Sequence, residues 1–246
     1  LSLALASVML VGMMSVGASA VNASDFTDAD EIVNKDAVST MTALGIINGK
    51  EDGSYFDPTG NVTRAEMAKM LCVAINGGVD PVLGVKDTPT FTDIKGTWAE
   101  SYIEYCAANG IIAGRGNNKF DPTGTVSATE AAKMLLGVLG YSAEKSGLVG
   151  NDWAINTNVL ANQNGLYKKL SNLNANTLLT RDNAAQMIYN ALDADMVELN
   201  AAGNYTTSQY SYTGTESVVT GTERVWVVKI KDSSVNDAVK ALDGSV

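Results

Sequence analysis

The sequence predicts a mainly α protein made of three repeated helix-loop-helix units, followed by a β-rich C-terminal segment. Two observations carry this prediction. Three motifs recur: Phe26-Thr27-Asp28 as Phe91-Thr92-Asp93, Gly45-Ile46-Ile47 as Gly110-Ile111-Ile112, and Phe56-Asp57-Pro58-Thr59-Gly60 as Phe120-Asp121-Pro122-Thr123-Gly124. Their offsets are 65, 65 and 64 residues, so the chain holds an internal duplication. Between the motifs, apolar residues return at helical spacing and stop at glycine.

In the first unit, Ile32, Val33, Ala37, Val38, Met41 and Leu44 form a helical stripe stopped by Gly45, at the position after a helix where a left-handed backbone suits glycine. A second stripe, from Ala65 through Met67, Met70 and Leu71 to Ile75, stops at Gly77-Gly78. The second unit repeats this with Trp98, Tyr102, Ile103 and Cys106 up to Gly110, then Ala131, Met134, Leu135 and Val138 up to Gly140. A third, weaker copy follows. Trp153 stands for Trp98, Gly165-Leu166-Tyr167 for Gly110-Ile111-Ile112, and Thr180-Arg181-Asp182-Asn183 for Thr63-Arg64-Ala65-Glu66, while the Phe-Thr-Asp and Phe-Asp-Pro motifs are missing. The expected units span 24–79, 88–141 and 146–197. Two short helices cannot bury a core alone, so the units must pack on one another.

Composition removes several function classes. The chain has 246 residues with 17 Lys and Arg against 27 Asp and Glu, a net charge of −10, which disfavours nucleic acid or an anionic membrane as partner. It has no histidine, so a Ser-His-Asp site, a His-ligated zinc and a His general base are excluded. The loop from Asn48 to Thr59 fails as an EF-hand: with Gly53 sixth, Lys50 falls third and Thr59 twelfth, where carboxylates or an amide are needed. A hairpin-like turn at Asp52-Gly53 fits better, with Phe56 pinned into the core. No cofactor, metal or catalytic site is expected, and no carboxylate pair sits in a catalytic pattern, so the chain reads as a non-enzyme. Cys72 and Cys106 each lie in an apolar helical stripe and read as buried small hydrophobes, with a disulfide between them as the alternative.

Residues 1–20 carry no charge and end in Ala18-Ser19-Ala20, the small-x-small pattern of signal-peptide cleavage, so a secretory signal is expected there. An uncleaved membrane anchor is the competing reading. Residues 198–246 read as a linker rich in Thr, Ser, Tyr and Gly, then a strand at 224–230, a short helix at 237–242 and the start of a further β-containing region.

The start of the second helix leaves one residue unexplained. Thr63 and Glu66 form a capping box, each serving the other's backbone N–H. Arg64 sits between them, a cation in the turn where the helix dipole favours anions, and so needs a partner elsewhere.

Taken together, Phe-x-Asp, Gly-Ile-Ile-x-Gly, Phe-Asp-Pro and Thr-Arg-Ala-Glu resemble the S-layer homology (SLH) domain of bacterial surface proteins, over roughly residues 24–195. The resemblance implies a pseudo-threefold helical bundle. It further implies a noncovalent anchor that binds secondary cell-wall polysaccharide, often carrying a pyruvate ketal, and tethers an S-layer or surface protein to the peptidoglycan of a Gram-positive-type envelope. Self-association in a surface layer is a further implied partner. The alternative is the anchor portion of a secreted wall-active or glycan-degrading enzyme.

On this resemblance Arg64 gains a partner, a pyruvate carboxylate gripped by the guanidinium beside free N–H donors of the helix start. Its competing role is a salt bridge to Asp28 or Asp93. Arg181 is the second expected grip, and Ala128 marks a degenerate site where the capping box survives as Ser127 and Glu130. Trp98 and Trp153 are candidates to stack on a sugar, or else to plug a repeat interface. Asp28 and Asp93 are caps or turn acceptors, or acceptors of sugar hydroxyls. Glu66 completes the expected ligand-binding set, with Lys69 and Lys133 as solvated residues or groove cations.

Overall fold

The computed structural model describes residues 21–170, 173, 176–207, 210–212 and 228–230. The expected signal peptide, the helix at 237–242 and the first four residues of the strand at 224–230 lie outside them. The chain is mainly α. Two single-turn 3-10 segments, Ala23–Asp25 and Ala29–Glu31, precede six helices: α1 Lys35–Ala43, α2 Arg64–Ile75, α3 Glu100–Ala108, α4 Ala128–Val138, α5 Trp153–Gln163 and α6 Arg181–Leu192. No helix among the described residues is long and apolar enough to cross a membrane.

Local sequence explains the helix ends. Thr63 and Glu66 cap α2 reciprocally, Glu66 N–H donating to Thr63 Oγ1 at 3.2 Å and Thr63 N–H to Glu66 Oε2 at 2.8 Å. Ser127 and Glu130 do the same for α4. Asn183 lacks the reach of a glutamate, and α6 keeps only the bond from Asn183 N–H to Thr180 Oγ1. Gly45, Gly110 and Gly165 follow α1, α3 and α5 with φ of 69°, 69° and 70°, the left-handed conformation that turns the chain off each helix.

Two helix starts differ from the sequence reading. The apolar stripe from Ile32 predicts α1 from that residue, yet α1 begins at Lys35. Ile32 reaches the core from the preceding turn, while Val33 is 82% exposed. Likewise Trp98 lies in the turn ahead of α3, which begins at Glu100. The apolar spacing thus runs on into turn residues, both buried (Ile32) and exposed (Val33, Trp98), and does not by itself mark the helix start.

The repeated motifs hold each loop to its own unit. Phe26 packs on Phe56 with ring centroids 5.2 Å apart, and Phe91 on Phe120 at 5.5 Å; Phe56 and Phe120 are fully buried. Asp28 accepts the N–H groups of Phe56 (3.0 Å) and Asp57 (2.7 Å), and Asp93 those of Phe120 and Asp121, both at 2.8 Å. Each clamp fixes an aspartate at positive φ, 61° for Asp57 and 62° for Asp121, where a non-glycine residue needs support.

The helix pairs interlock across units. α2 packs on α3, α4 on α5, and α6 returns to α1. At the centre the exchange closes: Val62 N–H donates to Leu179 O (2.9 Å), Leu179 N–H to Val126 O (2.8 Å) and Val126 N–H to Val62 O (3.0 Å). All three residues are fully buried, so this ring of hydrogen bonds lies within the core.

Beyond α6 the chain does not leave the body at once. Val197–Leu199 (β1) pairs antiparallel with Tyr205–Thr207 (β2), and Val197 N–H donates to Leu139 O at 2.7 Å. The Tyr205 ring packs on Tyr141, centroids 5.1 Å apart, while its hydroxyl accepts from Ser142 N–H at 2.9 Å and pairs with Ser146 Oγ at 2.6 Å. Residues read from sequence as linker therefore form a strap across the α4–α5 connection. Tyr210–Tyr212 (β3) pairs with Val228–Ile230 (β4), whose three residues are the described part of the strand expected at 224–230.

Candidate functional site

The start of α2 is where the first two units meet, and its donors are already committed. Arg64 N–H donates to Gly124 O at 2.8 Å and Ala65 N–H to Pro122 O at 3.0 Å, while Glu66 N–H serves Thr63. The start of α6 repeats this on the first unit, with Arg181 N–H to Gly60 O and Asp182 N–H to Pro58 O. The free helix N–H donors expected beside Arg64 are thus taken by carbonyls of the Phe-Asp-Pro-Thr-Gly turns, which satisfies the orphan groups of the helix end internally.

The arginines themselves are held inside the protein. Arg64 is 3% exposed; its Nε donates to Phe120 O and its second terminal nitrogen, NH2, to Ala113 O, both at 2.7 Å. Its guanidinium carbon lies 4.4 Å from the Phe120 ring centroid. Arg181 copies the arrangement on Phe56 O and Asn48 O, both at 2.8 Å, over the Phe56 ring at 5.0 Å. Burial pushes Arg64 down to about 10, which still leaves it charged at neutral pH. The outside partner inferred from helix electrostatics is therefore supplied within the fold: two carbonyls and an aromatic face solvate each guanidinium. The acid nearest Arg64 is Glu130, at 3.6 Å, rather than Asp28 or Asp93.

Around Glu130 a further cation appears that sequence reading missed. Arg115 pairs with Glu130 Oε1 and Asp121 Oδ2, both at 2.7 Å, and donates to Thr125 O at 2.9 Å. Burial raises the Glu130 pKa, but the Ser127 N–H and the Arg115 guanidinium outweigh it and hold the carboxyl below its ordinary 4.5. Lys50 makes the corresponding bond to Asp57 in the first unit. The matching offset of Lys50 and Arg115 behind their Gly-Ile-Ile motifs was the available signal.

Above the α2 start lies a groove of about 400 Å³ lined by Thr63, Ala65, Glu66, Thr97, Trp98, Ala99, Pro122 and Thr123. It brings together two of the expected ligand residues, Glu66 and Trp98, from different units. Trp98 is 60% exposed, a large aromatic left uncovered at the groove wall. Trp153 is half-buried at the α4–α5 junction with Lys133 Nζ 5.3 Å from its ring centroid. Asp28 and Asp93 spend their carboxylates on backbone N–H groups within their own units. Lys69 pairs with Asp80 at 3.0 Å beside Tyr102. The groove offers an apolar surface chiefly from Trp98 and Pro122 beside threonine hydroxyls and one carboxylate, a combination suited to a sugar ring, whose C–H face is apolar and whose edge is hydroxylated.

Residues 25–68 and 90–132, within the first two units, match the family model described as the S-layer homology domain. The chain is similar to an S-layer protein of Bacillus licheniformis, 30% identical over 113 residues. It is also similar to the middle cell wall protein of Brevibacillus brevis, 30% identical over 170 residues, and to exoglucanase XynX of Acetivibrio thermocellus, 28% over 156 residues. These alignments cover 46%, 65% and 59% of this chain but only 12%, 15% and 14% of those relatives.

Proposed function

We propose that residues 24–197 form a noncatalytic cell-wall anchor of three SLH repeats, the third divergent, in pseudo-threefold order. The anchor holds a secreted S-layer or surface protein at the cell wall by binding secondary cell-wall polysaccharide, in its pyruvylated form. The SLH matches and the wall and S-layer relatives support the anchoring role and the surface location. The closed ring of hydrogen bonds through Val62, Leu179 and Val126 supports a third repeat equivalent to the others.

The observation that carries the binding reading is the groove that exposed Trp98 and Glu66 line together. A pyranose ring stacks on the indole while Glu66 and the hydroxyls of Thr63, Thr97 and Thr123 meet its hydroxyl groups. Arg64 and Arg181 serve as positioning residues, since each locks the turn of one unit beneath the helix start of another. Trp153 with Lys133 provides a second stacking surface, where a cation meets an acidic substituent such as the pyruvate carboxylate.

Cosedimentation of the protein with purified sacculi, before and after chemical stripping of the secondary polymer, tests this reading. Binding is expected before stripping and not after; binding that survives would move the ligand to peptidoglycan itself. Selective removal of pyruvate from intact sacculi then tests the acidic substituent. A second reading is favoured by the similarity to an exoglucanase: the anchor then belongs to a secreted glycan-degrading enzyme.

A further inference from the structure

Cys72 on α2 and Cys106 on α3 face each other across the junction of the first two units, Sγ to Sγ at 3.3 Å, each 1% exposed or less. Their secondary contacts are weak, Cys72 to Tyr102 O at 3.5 Å and Cys106 to Ala68 O at 3.6 Å, so each thiol has the other as its main partner. A disulfide requires about 2.05 Å between the sulfurs, and the two are already in direct contact on packed helices. A surface protein also matures in a compartment where disulfides persist.

We propose that Cys72 and Cys106 are a modification site that closes to a disulfide on export, covalently joining the first two SLH segments. The oxidant is a low-molecular-weight disulfide. One cysteine thiolate attacks it, forming a mixed disulfide and releasing one small thiol; the second cysteine then attacks the protein sulfur of that bond and releases the other. Two protein thiols lose two electrons and two protons, and the oxidant becomes two thiols.

In the folded protein the step is slow, because the Cys72 contact and burial raise the Cys106 thiol well above its ordinary value and keep it protonated. Closure therefore belongs to folding, before α2 and α3 seal the pair from solvent. The bond ties α2, which carries Glu66, to α3, whose preceding turn carries Trp98. It stands or falls by thiol chemistry, whatever the groove binds.

The full chain, reduced and unfolded, is refolded with oxidised glutathione, denatured and alkylated, then weighed. The expected product is a monomer with no alkylated cysteine, about 2 Da lighter than the fully reduced chain, and it melts roughly 10 °C above the reduced protein. Cys72→Ala and Cys106→Ala variants should show no difference in melting between oxidising and reducing buffer. Two alkylatable thiols after refolding, a glutathione adduct on either cysteine, a disulfide-linked dimer, or a closed bond that leaves the melting temperature unchanged would each overturn the proposal.

Discussion

Arg64 and Phe120 are joined twice, by a hydrogen bond from the guanidinium Nε to the backbone carbonyl and by the guanidinium lying over the phenyl ring. The two residues belong to successive units, and Arg181 and Phe56 repeat the relationship between the last helix and the first unit. The remaining junction, at Ala128, faces residues that lack a Phe-Asp-Pro turn. Arginine is thus present at the two junctions that meet a Phe-Asp-Pro motif and missing at the one where the sequence lacks it.

Arg64→Ala strands the buried Phe120 carbonyl, removes the bond to the Ala113 carbonyl and uncovers the Phe120 ring, and is expected to cost about 2–4 kcal/mol. Ala128→Arg restores the motif of the first unit but puts a charge at a site only 1% exposed, against a unit whose sequence lacks the Phe-Asp-Pro motif. It is expected to destabilise by about 3–5 kcal/mol despite its closer match to the family pattern. Urea denaturation of both variants measures the two effects.

Trp98→Ala removes the exposed groove wall while leaving the core intact. Unfolding free energy should change by less than about 1 kcal/mol, and sacculus binding should fall about tenfold or more. Paired denaturation and cosedimentation separate these outcomes, and a variant that binds normally would remove the groove from the binding surface.

Acid should destabilise the protein through its loop clamps. Burial raises Asp93, but the N–H groups of Phe120 and Asp121 lower it further, leaving it below its ordinary 3.8; Glu130 lies below 4.5 for the reasons given above. Both are depressed on folding, so their stabilisation is present above the ordinary values and is lost as pH falls through the folded ones. Asp182, raised by burial despite two bonds from Asn34, works in the opposite sense. Urea midpoints should stay level from pH 7 to 5 and drop below about pH 4.5. Asp93→Asn should lower the midpoint at pH 7 and flatten the acid limb.

Tyr205→Phe deletes the hydroxyl that meets Ser142 and Ser146 while keeping the packing on Tyr141. Loss of about 1 kcal/mol is expected, with faster hydrogen exchange at the Ser142 amide than at Val62 or Val126. Native-state exchange followed by mass spectrometry resolves the sites.

What sequence disclosed were interactions closed within a few residues. The Thr63–Glu66 box and the turning glycines depend on neighbours three or four positions away, and spacing reveals them. Arg64 remained an oddity because its acceptor carbonyls lie 49 and 56 residues onward and have no side-chain signature. Asp28 showed the same limit: its recurrence as Asp93 was visible, but the backbone it clamps lies 28 residues away. For Trp98, periodicity suggested a helix start, and only the arrangement of two units revealed an uncovered ring over a groove.

The ring through Val62, Leu179 and Val126 also sets an order of events in time. The α2–α3 and α4–α5 contacts join stretches close in sequence, whereas closure draws Asn34 to Asp182 and Arg181 to Phe56 across 148 and 125 residues. Such distant pairings are slow to form and cannot begin until the last helix is available. In a chain emerging N-terminus first, the Arg64 junction can therefore form once Phe120 is available, whereas the Arg181 junction waits for α6. A chain stalled before α6 therefore lacks the contacts that Arg181 and Asp182 make with the first unit and remains open on that side.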